Sequence, residues 1–275
     1  MVMHWILLPV CLILPIHLAV ADARNVSDWT PHPVLRKEVK GRGVLRILSP
    51  NLSVDHWSVH PAALGHDPAA TVLTPRETQE GVTIQVEDGR GNYHWIAAYA
   101  RQPGREFVLA TAHHFPLAGP SPTAMLAMTK SRLEIIPTPL PREHSTYRAG
   151  EAWKFLLRFD QHPLPDRLVT LHTLGHTAQE IRTDRQGVAT VILPPFVMRS
   201  EDSVGRQERR PRRLLQPFQL AVEHQDDGER FVTVFQQEYG PDGLHDRQPL
   251  LGWLVAGLGM MGGLRLWRFD QGGAS

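Results

Sequence analysis

Histidine is the residue type through which this chain could do metal chemistry. The sequence holds 15 histidines and one cysteine, Cys11. Neutral imidazole suits Ni, Cu and Zn. His56, His60 and His66 lie in a stretch without a clear period, and His94 lies in an alternating one. His113 and His114 are adjacent, and His144, His162, His172 and His176 follow. The four-residue spacing of His56 and His60 gives a shared face in a helix, and the region does not read as one. His113 and His114 point to opposite sides of an extended chain. The grouping that spacing favours is His56, His60, His94 and His113, because the last two sit on or beside neighbouring strands. These four are the candidate ligands for a divalent transition metal, Ni, Cu or Zn. For a single histidine, a polar surface role or support of a neighbouring group is the commoner outcome.

Catalytic patterns are missing. The sequence has no G-x-S-x-G elbow, no H-E-x-x-H helix and no phosphate-binding loop. Gly89-x-Gly91 belongs to a turn with no helix after it, unlike a dinucleotide fingerprint. No catalytic residue is assigned, and a non-enzyme is expected. A net charge of +1 and 21% charged residues leave no basic footprint for nucleic acid.

The elements that must position these histidines read as strands. Glycine and proline number 22 and 23, which favours short strands and many turns. Val44–Leu48 is a first strand, after a polar lead-in over 24–43. Residues 49–80 read as loops with one or two short strands. Val82, Ile84 and Val86 alternate with polar residues, and after the turn at 88–92 Tyr93, Trp95, Ala97 and Tyr99 alternate with His94 and Ile96. Pro103-Gly104 turns the chain into a strand over 106–112. Residues 119–130 form a linker with one helical turn. Strands then follow over 133–136, 153–159, 167–174, 188–193, 217–223 and 230–236, and the last two are joined by the hairpin signal Asp226-Asp227-Gly228-Glu229. Each has one apolar face that needs a partner sheet, so two-layer packing follows. The expected fold is all-β, with immunoglobulin-like or transthyretin-like β-sandwich domains over 24–118 and 131–240. Residues 198–213 form an arginine-rich insertion that reads as a solvated loop.

Both ends carry targeting signals. Residues 1–23 read as a secretory signal peptide, with a non-cleaved anchor as the alternative. Cleavage would remove Cys11 and leave no thiol chemistry. Pro249–Leu264 has no charge and is followed by Arg265 and Arg268. Residues 249–268 therefore read as a C-terminal transmembrane helix, slightly short of a full span, and a buried glycine-rich helix or a re-entrant hairpin is the alternative. The expected localisation is the cytoplasmic membrane, single-pass, with the main body in the periplasm.

A family resemblance enters at Tyr147-x-x-Gly150-Glu151-x-Trp153. It continues through Phe155-Leu-Leu-x-Phe159-Asp160-x-x-Pro163-Leu164-Pro165 and Thr183-Asp184-x-x-Gly187-x-Ala189. This pattern resembles the periplasmic domain of bacterial nickel uptake transporter-family proteins, a Greek-key sandwich. Similar strand, turn and strand patterns occur in carboxypeptidase-regulatory-like and transthyretin-like modules. The resemblance implies a membrane-anchored accessory protein that binds a transition metal, with nickel foremost, or hands it to an uptake system. A membrane permease or another membrane-complex subunit would be its partner. The alternative is a non-catalytic structural or assembly sandwich supporting a membrane complex.

Overall fold

Alternation of apolar and polar side chains dictates the sheets. In a strand, successive residues face opposite sides, so every second residue can enter a core. The computed structural model describes residues 29–63, 76–78, 81–86, 92–142, 146–197 and 215–242. The first half holds β1 (Arg36–Gly41), β2 (Val44–Leu48), β3 (His56–Pro61), β4 (Arg76–Thr78), β5 (Gly81–Gln85), β6 (Tyr93–Gln102) and β7 (Arg105–His114). A short helix, α1 (Thr123–Ala127), follows. The second half holds β8 (Leu133–Pro137), β9 (Tyr147–Arg148), β10 (Ala152–Phe159), β11 (His162–Pro163), β12 (Leu168–Thr173), β13 (Gln179–Arg182), β14 (Val188–Ile192), β15 (Gln216–Asp226) and β16 (Glu229–Gly240).

The strand orders define the topology. One sheet runs β1-β2-β5-β4, and β3-β6-β7 lies opposite it. That is the ABED and CFG arrangement of an immunoglobulin-type sandwich. In the second half, β8, β10 and β14 form one layer, and β13-β12-β15-β16 forms the other. The same Greek-key logic applies, with a three-stranded first layer. The described residues form two such sandwiches, an all-β architecture apart from α1.

The two halves share a sheet. β7 pairs with β16 in parallel, from Arg105↔Arg230 to Ala110↔Phe235. This pairing fuses the two CFG layers into one eight-stranded sheet. The remaining layers pack on its opposite faces. One core joins Phe155, Leu157, Val169, Leu171, Phe218 and Phe235 to Trp95, Ala97 and Ala110 from the first half. The other joins Leu45, Ile47, Val82 and Ile84 to Ile96, Ala98 and Leu109, and also takes Ala221, Val232 and Val234 from the second half. β6, β7 and β16 are therefore buried on both faces over much of their length. Strands covered on both sides lose the clean alternation of half-buried ones. Strands outside the central sheet keep it: β2, β5 and β14 bury every second residue.

The membrane expectation is corrected. No helix among the described residues is long and apolar enough to cross a membrane. The proposed C-terminal transmembrane helix, residues 249–268, lies outside the described residues, as do the proposed signal peptide, 1–23, and the arginine-rich insertion. Single-pass localisation and partnership with a membrane permease find no supporting helix among the described residues. The polar lead-in also contains a strand that alternation did not reveal. β1 reads RKEVKG, and it forms by pairing with β2 from Arg36↔Leu48 onward.

Candidate functional site

The strand register places the four candidate histidines in two pairs on opposite faces of the central sheet. His94 on β6 is the direct cross-strand partner of His113 on β7. Both rings meet Phe115 edge-on, at 5.0 and 4.6 Å between centroids. His56 and His60 on β3 pair with Tyr99 and Trp95 of β6. Residues 95 and 99 have the opposite parity to 94, so His56 and His60 face the other way. They do share a face with each other, because four residues are two strand periods. A four-residue spacing therefore gives a shared face in a strand as well as in a helix.

Burial fixes the charge of these side chains. His60 is 6% exposed and His94 is 0% exposed. Burial disfavours the imidazolium form and lowers both to about 4, with the nearby Lys130 charge adding to the effect on His60. His113 falls to about 3, from burial first and then from the Lys37 charge. All three are neutral at neutral pH, which is the ligand form of imidazole. Metal binding also needs convergence. Among the described residues, no three His, Cys, Asp or Glu side chains are grouped to hold a metal ion. The expected role in binding or handing over nickel is therefore not supported by the described residues.

The motif that carried the family resemblance is consumed by the fold. Asp184 Oδ1 accepts N–H bonds from Gln186 and Val188, each at 2.9 Å, and closes the turn into β14. Gly187 has φ +74, and a Cβ there would stand 2.9 Å from the Leu157 carbonyl oxygen. Only glycine fits such a site without strain. Thr183 Oγ1 accepts from the Arg167 N–H and donates to the Leu164 carbonyl. Tyr147 is buried against Trp153 and Phe218. These residues build turns and core.

The densest polar constellation lies where the linker joins the central sheet. Lys130 Nζ donates to the carbonyls of Met125, Leu126 and Met128, at 3.2, 3.4 and 2.5 Å. It gathers carbonyls at the end of α1, where a cation is favoured. It also lies 5.0 Å from the centre of the Trp95 ring and 3.6 Å from Glu134 Oε1. Arg158 Nε donates to Glu134 Oε2 at 2.6 Å, across the β8–β10 pair Glu134↔Arg158. The Arg158 guanidinium also donates to the Ala127 and Met128 carbonyls. The Lys130 and Glu134 side chains are each 1% exposed. Burial lowers Lys130 to about 8, against the opposing pull of Glu134. Tyr99 Oη donates to the Lys130 carbonyl at 2.7 Å. One cluster thus ties β6 of the first half, the linker, β8 and β10 together.

A second polar seam lies on β15 and β16. Gln219 Nε2 donates to the Pro33 carbonyl at 2.8 Å and to Gln236 Oε1 at 3.1 Å. Gln236 Oε1 accepts from the Leu35 N–H, and its Nε2 donates to the Leu35 carbonyl. Thr30 Oγ1 donates to Gln219 Oε1. The segment before β1 is thereby strapped across the second half. A surface cleft of about 300 Å³ is lined by Asp55, His56, Tyr99, Ala100, Arg101 and Glu106. Its acidic side chains are both engaged by Arg101. Asp55 accepts the Arg101 N–H, and Glu106 accepts the Arg101 guanidinium.

No protein-family model matches the chain, and no curated protein matches it. Solved structures with some likeness include a two-domain fibronectin type III segment of chicken tenascin. It is 9% identical, covers 76% of this chain and 98% of its own, and has a TM-score of 0.21. The D0-D1 domain of intimin is 10% identical, with 76% and 98% coverage and a TM-score of 0.23. The D00-D0 domain of intimin is 11% identical, with 74% and 99% coverage and a TM-score of 0.20. Likenesses at these scores carry no weight beyond the strand order itself. That order gives a generic immunoglobulin-like, Greek-key sandwich class and no particular family.

Proposed function

We propose that this protein is a non-catalytic structural or assembly module, a stiff pair of sandwiches that presents surfaces to another macromolecule. The observation that supports it most is the parallel β7–β16 pairing, reinforced by the Lys130–Glu134–Arg158 cluster. Two domains on a free linker keep their relative motion, whereas a shared hydrogen-bonded sheet removes it. The buried polar side chains of the cluster and the glutamine seam are spent on holding the chain together.

Calorimetric titration of the full chain with Ni, Cu and Zn, beside its His94→Ala/His113→Ala variant, tests this reading. The expected result is no binding tighter than micromolar. Tight binding that disappears in the double variant would overturn it.

A further inference from the structure

The free edges of the sheets differ in how they are protected. Natural sheets guard exposed edges with charge, proline or cover. β1 carries Arg36, Lys37, Glu38 and Lys40, and β13 carries Glu180 and Arg182. β3 ends in Pro61, and its middle residue Val59 is fully buried. β14, reading VATVI, has no charge and no proline. Among the described residues it pairs with β10 on one side only, and Ile192 is 58% exposed.

Hydrogen-bond parity shows what this edge offers. The Leu157 N–H donates to the Gly187 carbonyl. With the register Leu156↔Val188, the odd-numbered residues of β14 therefore bond inward to β10. Val188, Thr190 and Ile192 direct their backbone groups outward. Those of Val188 are already used, because its N–H bonds Asp184 Oδ1 and its carbonyl accepts the Asp184 N–H. The outward groups of Thr190 and Ile192 have no partner among the described residues.

We propose that β14 pairs antiparallel with β14 of a second copy of this chain, centred on Val191. In that register Thr190 of each copy faces Ile192 of the other, and each such pair exchanges two hydrogen bonds. All four outward groups on each copy are then used. Val188 falls opposite Pro194, so the position whose polar groups are already satisfied meets the residue that has no N–H to offer. The pairing therefore ends where the free groups end. An uncharged edge brings no repulsion between identical strands, and the isologous contact closes as a two-fold dimer. A short edge gives a weak, concentration-dependent association.

Sedimentation equilibrium of the full chain across a concentration series tests the proposal, with Ile192→Lys and Thr190→Pro as variants and Gln179→Lys on β13 as control. The wild type and the control are expected to dimerise alike, and both β14 variants to dissociate at least tenfold more readily. Hydrogen exchange at the Thr190 and Ile192 amides is expected to slow as wild-type concentration rises, a readout that does not depend on how the variants fold. A wild type that stays monomeric at its highest soluble concentration overturns the proposal. So do β14 variants that dimerise like the wild type, or amides whose exchange ignores concentration.

Discussion

The linker cluster and the histidine pairs bury polarity in opposite ways. At the cluster, Lys130, Glu134 and Arg158 compensate one another, and the two cations also donate to α1 carbonyls. On β3 and β6, His60 and His94 are buried and stay neutral. His60 has neither ring nitrogen hydrogen-bonded. A buried charge is tolerable only with a partner, whereas imidazole can discard its charge within the accessible pH range. The cluster is thus a joint made of ions. The histidines are polar residues serving as packing, and they leave the fold exposed to acid.

Acid is expected to have the largest effect, at the buried histidines. His60 and His94 titrate near 6.5 in the unfolded chain and near 4 in the folded one. Below pH 6.5 the unfolded state takes up the proton first, so stability falls as pH drops from 6.5 towards 4. It is fully present above that window. The slope is roughly 1.4 kcal/mol per pH unit for each histidine. Urea midpoints between pH 7 and 4 measure it, and His94→Phe should flatten the curve by about one group's share.

Glu134→Ala is the next largest break. It leaves Lys130 and Arg158 buried without their counter-charge, at a cost of about 3–5 kcal/mol. Urea denaturation with an unchanged slope and a lower midpoint is the expected reading. A loss below about 1 kcal/mol would mean that the α1 carbonyls alone can hold both cations.

The smallest effect is expected on the alkaline side, at Lys130. Lys130 loses its proton near pH 8 when folded, against 10.5 for a free lysine side chain. The unfolded chain binds the extra proton between these values, so the Lys130 contribution to stability rises from pH 8 to 10.5. Its slope is at most about 1.4 kcal/mol per pH unit. Lys130→Met should remove that rise, which guanidinium-free thermal melts at pH 8 and 10 can detect.

Most strands were legible because alternation survives wherever one face is open. β2, β5, β10 and β12 lie where apolar periodicity puts them, and Gly104, Gly187 and Gly228 turn the chain with positive φ. β1 was hidden because a charged edge strand has no apolar face to announce it. β3 was blurred because its residues are buried on both sides. The adjacency of His94 and His113 could be read from neighbouring strands, but the opposite facing of His56 and His60 needed the β3–β6 register. The cluster was missed for another reason. Its one sequence signal is Glu134 inside the apolar run Leu133-Glu134-Ile135-Ile136. A lone carboxylate there asks for a buried cation, but its partners come from the linker and from β10. No local pattern announces the β7–β16 pairing, which is settled by tertiary packing.

That pairing also sets a schedule for folding. β7 is made before the linker and the second sandwich, whereas its parallel partner β16 is the last described strand. Contacts so distant along the chain form slowly. A chain emerging in order therefore carries β7 as an open edge until nearly all of the second sandwich exists. Docking of β16 closes that edge and completes both cores together, so the last strand to arrive makes the first sandwich finished.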